Sequence, residues 1–85
     1  MSGLLDEVRA SVSLPDPATR MAIRRRANVS RKRLAQELGV HVISIARWER
    51  GTRNPHGELR VRYARLLEQL REIAAAGARG EELAS

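Results

Sequence analysis

Apolar residues recur at helical spacing along most of the chain, and nowhere do they alternate with the period of two that marks a strand. Leu4, Leu5, Val8 and Val12 form the first such set, with Ser2 as a capping candidate and Asp6 and Glu7 well placed in the first turns. Leu14-Pro15-Asp16-Pro17 ends this segment, because two prolines forbid a continuous helix. Asp16 at the cap and Pro17 at the first helical position start a second helix that runs to about Ala27, and Asn28 suits the left-handed stop after it. Ser30 caps a short third helix, Arg31–Leu38, which Gly39 stops; Leu34, Ala35 and Leu38 share its inner face. A fourth begins near Val42, carries Ile45 and Trp48 three apart, and ends near Arg50-Gly51. Thr52-Arg53-Asn54-Pro55 reads as a loop. The last helix starts around His56–Glu58 and bears one continuous apolar stripe of Leu59, Tyr63, Leu66, Leu67, Leu70 and Ile73.

The pattern predicts an all-α fold of about five helices. Residues 1–14 form an N-terminal helical extension, 15–76 the main domain, and 77–85 a flexible tail. The last helix is long enough that Leu70, Ile73 and Ala74 extend past a four-helix core and need a cover. The N-terminal segment folding back and a second subunit are both compatible with that need, with a slight preference for the former.

Composition narrows the class. The length of 85 residues allows one domain. With no cysteine there is no disulfide framework, zinc finger or thiolate chemistry, and a cytoplasmic setting is natural. No apolar run approaches the ~18–20 residues of a membrane span, and the N-terminus lacks the basic and apolar regions of a signal peptide. The two aromatic residues, Trp48 and Tyr63, leave the core to Leu, Ile, Val and Ala, which suits packed helices.

The net charge of +6 is unevenly placed. Between Arg20 and Arg65 there are 13 basic and 3 acidic residues, a local +10, while the remainder carries −4. Such a block points to a polyanionic partner, most often nucleic acid. An arginine-biased composition with no ligand explains the charge equally well, so charge alone does not decide.

Position does more. In Ser30–Pro55 two short helices joined by a glycine-containing turn make a helix-turn-helix, with the motif at about 31–50. Gly39 permits the positive φ of a sharp turn, Ala35 is small enough for a close helix crossing, and Val40 and Ile45 fix the angle by burying into a shared core. The second helix is left projecting with Val42, Ile43, Ala46 and Arg47 outward, and a helix of this size fits the major groove of B-DNA.

Leu34-Ala35-Gln36-Glu37-Leu38-Gly39-Val40, then Ile45-Ala46-Arg47-Trp48-Glu49-Arg50-Gly51, then Arg53-Asn54-Pro55, resembles the Cro/cI-type, lambda-repressor-like helix-turn-helix family. The resemblance covers roughly Leu14 to Leu70. It implies a sequence-specific regulator that binds double-stranded DNA, as phage repressors, Cro-like proteins, bacterial transcription factors and some antitoxins do. It places base contacts at Val42, Ile43, Ala46 and Arg47, with Ser44 secondary, and phosphate contacts at Ser30, Arg31, His41, Arg50 and Arg53. It also implies a partly buried ion pair, Arg24 with Glu49, that anchors the recognition helix. A homodimer on DNA is compatible with the resemblance. This sequence departs from the family pattern where Asn28 replaces a common Gly, Arg31 a common Gln, His41 a Ser or Thr cap, and Arg20 an aliphatic core residue.

Simpler roles fit several residues. Trp48 and Tyr63 read as core rather than as base-stacking groups. Arg25 and Arg26 add to a DNA-facing field, whereas Arg60, Arg62 and Arg65 read as solvated surface or helix ion pairs. His41 and His56 are too isolated for a metal site, and no cofactor is implied. No phosphate-cradling loop, thiol or triad-like arrangement supports an enzyme. The rival reading is an antitoxin-like or protein-interaction helix-turn-helix, which would show its largest exposed apolar patch away from the recognition helix. A structured-RNA binder fits less well, because the A-form major groove is narrow.

Overall fold

Asp16 and Pro17 open the first described helix for the reason their chemistry suggests. In the computed structural model, which describes residues 14–84 with side chains through Gly77, Asp16 sits at the N-cap in extended conformation and accepts from the Thr19 amide. The Thr19 hydroxyl donates to the same carboxylate, and this bond holds the Asp16 carboxyl below its ordinary pKa. Helix α1 spans Pro17–Arg26, α2 Arg31–Leu38, α3 Val42–Arg50 and α4 Gly57–Ala84. The fold is all-helical among the described residues, with four helices where about five were expected. The expected first helix, over Leu4–Val12, falls on residues outside those described.

The first three helices end alike. Asn28, Gly39 and Gly51 each adopt positive φ, at 58°, 69° and 78°. In each case two backward amide bonds close the turn: at α3, Gly51 N–H donates to Trp48 O and Thr52 N–H to Arg47 O. This double closure satisfies carbonyls that the helix leaves unpaired. Gly51 is constrained twice, since a Cβ there would stand 3.1 Å from Pro17 Cγ. The start of α1 is therefore pressed against the end of α3.

The core gathers Ile23 from α1, Leu34, Ala35 and Leu38 from α2, Ile45 and Trp48 from α3, and Tyr63, Leu67 and Leu70 from α4. Leu14, Val29, Val40, Leu59 and Leu66 pack around it. Helix α2 packs on α3, and α1 packs on both α3 and α4. The Trp48 and Tyr63 rings lie 4.9 Å apart between centroids, tilted at 41°, so both aromatic residues are structural.

Helix α4 does not stop where the glycines begin. It continues through Gly77 and Gly80 to Ala84, because a glycine inside a helix weakens it by about 1 kcal/mol but does not block it. Beyond Leu70 the helix leaves the core, and Ile73 is 63% exposed.

Tyr63 is fully buried, and among the described residues no group hydrogen-bonds its hydroxyl. Burial, reinforced by the nearby Glu49 charge, raises its pKa to about 12. An unpaired buried hydroxyl costs about 1–3 kcal/mol. Tyr63→Phe is therefore expected to raise stability in urea unfolding by about 1 kcal/mol, and a comparable loss would show that the hydroxyl is paired. The same burial predicts the response to alkali. The folded state holds the phenolic proton more tightly than the unfolded state, whose pKa is about 10. Stability falls as pH rises from that value towards the folded one, and tyrosinate absorbance of the folded protein should lag that of the unfolded chain.

Candidate nucleic-acid interface

Helix α3 is divided cleanly by environment. Ile45, Trp48 and Glu49 are buried, while Val42, Ile43, Arg47 and Arg50 are exposed and Ser44 and Ala46 are half-buried. At 100° per residue, positions 42, 43, 46, 47 and 50 fall within an arc of about 140°. Val42 and Ile43 are 39% and 50% exposed, unusual for large aliphatic side chains in a core this small. An apolar pair at the start of an outward helix can pack on thymine methyls, and Arg47 one turn later can donate two bonds to a guanine edge.

The polar rim is built from helix ends. Ser30 caps α2, its hydroxyl accepting from the Arg33 amide at 3.0 Å. His41 caps α3, with Nδ1 accepting from the Ile43 amide at 3.3 Å, so this histidine fills the Ser or Thr role through its ring nitrogen. That bond leaves the proton on Nε2 in the neutral ring. Both caps are exposed, as are Arg31, Arg50 and Arg53. The Thr52 hydroxyl and the Arg53 amide donate to Arg47 O, which ties the loop that carries Arg53 back to the recognition helix.

Behind this surface lies a network of charges. Arg24 donates from Nε to Glu49 Oε2 at 2.6 Å and from Nη2 to Oε1 at 3.0 Å, a two-bond pair joining α1 to α3. Its Nη1 also donates to Val29 O at 2.9 Å. The side chains are 9% and 1% exposed, so the pair is buried rather than partly buried. The structure thus brings Arg24 and Glu49 together, and it adds a third member. Arg31 Nε donates to Glu49 Oε1 at 3.0 Å. Arg31, placed on phosphate by the resemblance, spends one donor inward while its side chain stays 43% exposed.

Two further arginines are structural, and sequence reasoning missed both roles. Arg20 is 5% exposed and donates to Pro15 O at 2.6 Å, Trp48 O at 3.0 Å and Asn54 Oδ1 at 3.2 Å. The family resemblance puts an aliphatic core residue at this position, and here the aliphatic stem of Arg20 with its bonded head fills the place. The cation meets the negative end of α3 and pins the following loop. Arg62, expected on the solvated surface or in a helix ion pair, instead donates to Leu38 O and Glu37 O at 3.4 Å, caging the carbonyl end of α2. The exposed Arg33–Glu37 pair at 3.2 Å contributes little by comparison.

Among the described residues no group of acidic or histidine side chains is disposed to hold a metal, and no helix is long and apolar enough to cross a membrane. A family model described as helix-turn-helix, of the Cro/cI type, matches residues 21–75. No curated protein and no solved structure matches the chain. The matched span covers most of α1, all of α2 and α3, and about two thirds of α4, including the part that packs on them, and the fold is the lambda-repressor-like one. With that match over more than half its length, the chain belongs to the Cro/cI-type helix-turn-helix family of DNA-binding regulators.

Proposed function

We propose that the chain is a small cytoplasmic transcriptional repressor, of the kind carried by phages or mobile elements, that reads double-stranded DNA with α3 in the major groove. One observation carries this reading: the exposed arc of α3 joins an apolar pair, Val42 and Ile43, to Arg47, with the exposed Arg50 and Arg53 at the end of the helix. Val42, Ile43, Ser44, Ala46 and Arg47 face base edges. Ser30, Arg31, His41, Arg50 and Arg53 face phosphates, helped by the backbone amides that helix starts offer to anions. Repression follows from occlusion of promoter DNA, the simplest mechanism for a domain of this size.

Selection of bound sites from a random DNA pool, followed by gel-shift competition of selected against random DNA across salt, tests the proposal. A selected site that outcompetes random DNA supports it; equal, salt-governed binding to all sequences overturns it. Two-fold symmetry in the selected sites would reveal binding as a homodimer, with half-sites about one helical turn apart. The alternative, an antitoxin-like interaction module, draws on the groove between α1 and α4, which lies away from α3. Arg53→Ala is expected to weaken binding to all sequences alike and to lower the slope of log affinity against log salt by about 0.9. A loss restricted to the preferred site would instead make Arg53 a base contact.

A further inference from the structure

Arg53 stands exposed in the loop between α3 and α4, and its backbone is held on both sides. On the α3 side, Arg47 O accepts from the Thr52 amide at 3.1 Å, the Thr52 hydroxyl at 3.3 Å and the Arg53 amide at 3.5 Å. On the far side, Asn54 Oδ1 accepts from Arg20 Nη1 at 3.2 Å, and Pro55 is buried with its φ fixed by the ring. The same Nη1 donates to Trp48 O at 3.0 Å, and Arg20 Nε donates to Pro15 O at 2.6 Å. One buried guanidinium thus joins the start of α1, the end of the recognition helix and the loop. Its acceptors among the described residues are two main-chain carbonyls and a side-chain amide, with no carboxylate. Burying a cation on neutral acceptors is costly, and an aliphatic side chain would fill the same space without that cost. Packing alone therefore does not account for an arginine here.

We propose that Arg20 and Asn54 are positioning residues for DNA binding: they hold the loop so that Arg53 reaches a phosphate from a backbone that is already ordered. The inference rests on the reading of Arg53 as a phosphate contact. The bonds to Pro15 O and Trp48 O already tie α1 to α3, so the third bond adds nothing to the joining of those helices. What it fixes is the loop. Asn54 is exposed and neutral, and it acts through the guanidinium behind it. The advantage is one of preorganisation. Ordering a single long side chain at an interface weakens binding by about 2- to 12-fold, and a loop held beforehand avoids much of that loss.

Asn54→Ala in the full chain removes the acceptor on the loop and leaves Arg20 its two carbonyls. In the free protein, the NMR order parameter of the Arg53 amide is expected to fall from about 0.85 towards 0.6. Affinity for a short DNA duplex of mixed sequence should fall by about 2- to 12-fold. The slope of log affinity against log salt should stay where it was, because Arg53 keeps its charge and still reaches a phosphate. In an Arg53→Ala background, Asn54→Ala should have no further effect on affinity. Arg20→Met should lower the order at Arg53 to the same degree. Asn54→Ala changes an exposed side chain, so it decides the proposal even if Arg20→Met unfolds. An unchanged order parameter in Asn54→Ala overturns the inference and leaves Arg53 on phosphate. A loss of affinity that persists in the Arg53→Ala background also overturns it, since Asn54 would then act on DNA directly. If Arg53→Ala itself costs no affinity, the phosphate reading fails first and the positioning role falls with it.

Discussion

Glu49→Ala is expected to destabilise the protein by about 3–5 kcal/mol, the cost of leaving one member of a buried pair behind. Glu49 is the only carboxylate bonded to Arg24 among the described residues, and Arg24 is 7% exposed. Without it, the guanidinium keeps only its bond to Val29 O inside the fold. In a domain of this size each kcal/mol moves the midpoint of thermal unfolding by about 4–8 °C, so the variant should melt far below the parent. Three companion variants test whether the cause is the stranded charge. Arg24→Met with Glu49→Leu should recover much of the loss, because an apolar pair of similar volume removes both charges together. Arg24→Ala alone should cost a comparable amount. Arg31→Ala should cost clearly less than either, since its side chain is 43% exposed and Glu49 keeps both bonds to Arg24 without it. Small losses that add across Arg24 and Glu49 would refute the anchoring role.

Arg47→Ala carries the second large effect, on recognition rather than stability. It should reduce the preference of the protein for its selected site over a site altered at the contacted guanine by about 5–150-fold, equivalent to 1–3 kcal/mol. The substitution spares the fold for a visible reason. The Arg47 side chain is exposed, and what α3 needs from this residue is its carbonyl, which accepts from Thr52 and Arg53. Arg47→Lys should not restore the preference, because an ammonium lacks the planar pair of donors that matches guanine. Equal weakening on every sequence would move Arg47 from base edges to phosphate.

Much of this architecture is written locally. Asn28, Gly39 and Gly51 are legible as helix ends because a left-handed residue admits few side chains. Leu34, Leu38, Ile45, Tyr63 and Leu67 are legible as core because burial imposes a period. The arginines resist such reading. Arg20 reaches Trp48 O across 28 positions and Arg62 reaches Leu38 O across 24. A backbone acceptor leaves no residue type to recognise, and nothing local separates these arginines from the exposed Arg47 or Arg53. Arg24 and Glu49 became a pair through the family resemblance, not through spacing. Arg31 shows why a surface role and an interior role are hard to separate in one long side chain: its Nε faces Glu49 while much of its length faces water. The continuation of α4 past Gly77 was illegible for a different reason, since a glycine lowers helix stability without marking an end.

Trp48 sits on the back of the recognition helix, 5% exposed and against Tyr63. It is the single tryptophan of the chain. Its emission therefore gauges whether α3 is seated, from a ring that is turned away from the proposed DNA surface. A substitution that removes a nucleic-acid contact should leave the fluorescence spectrum of the free protein in place, while one that unseats the helix should shift it to the red. The fold thus carries its own optical control, one that distinguishes a reader that has lost a contact from one that has lost its footing.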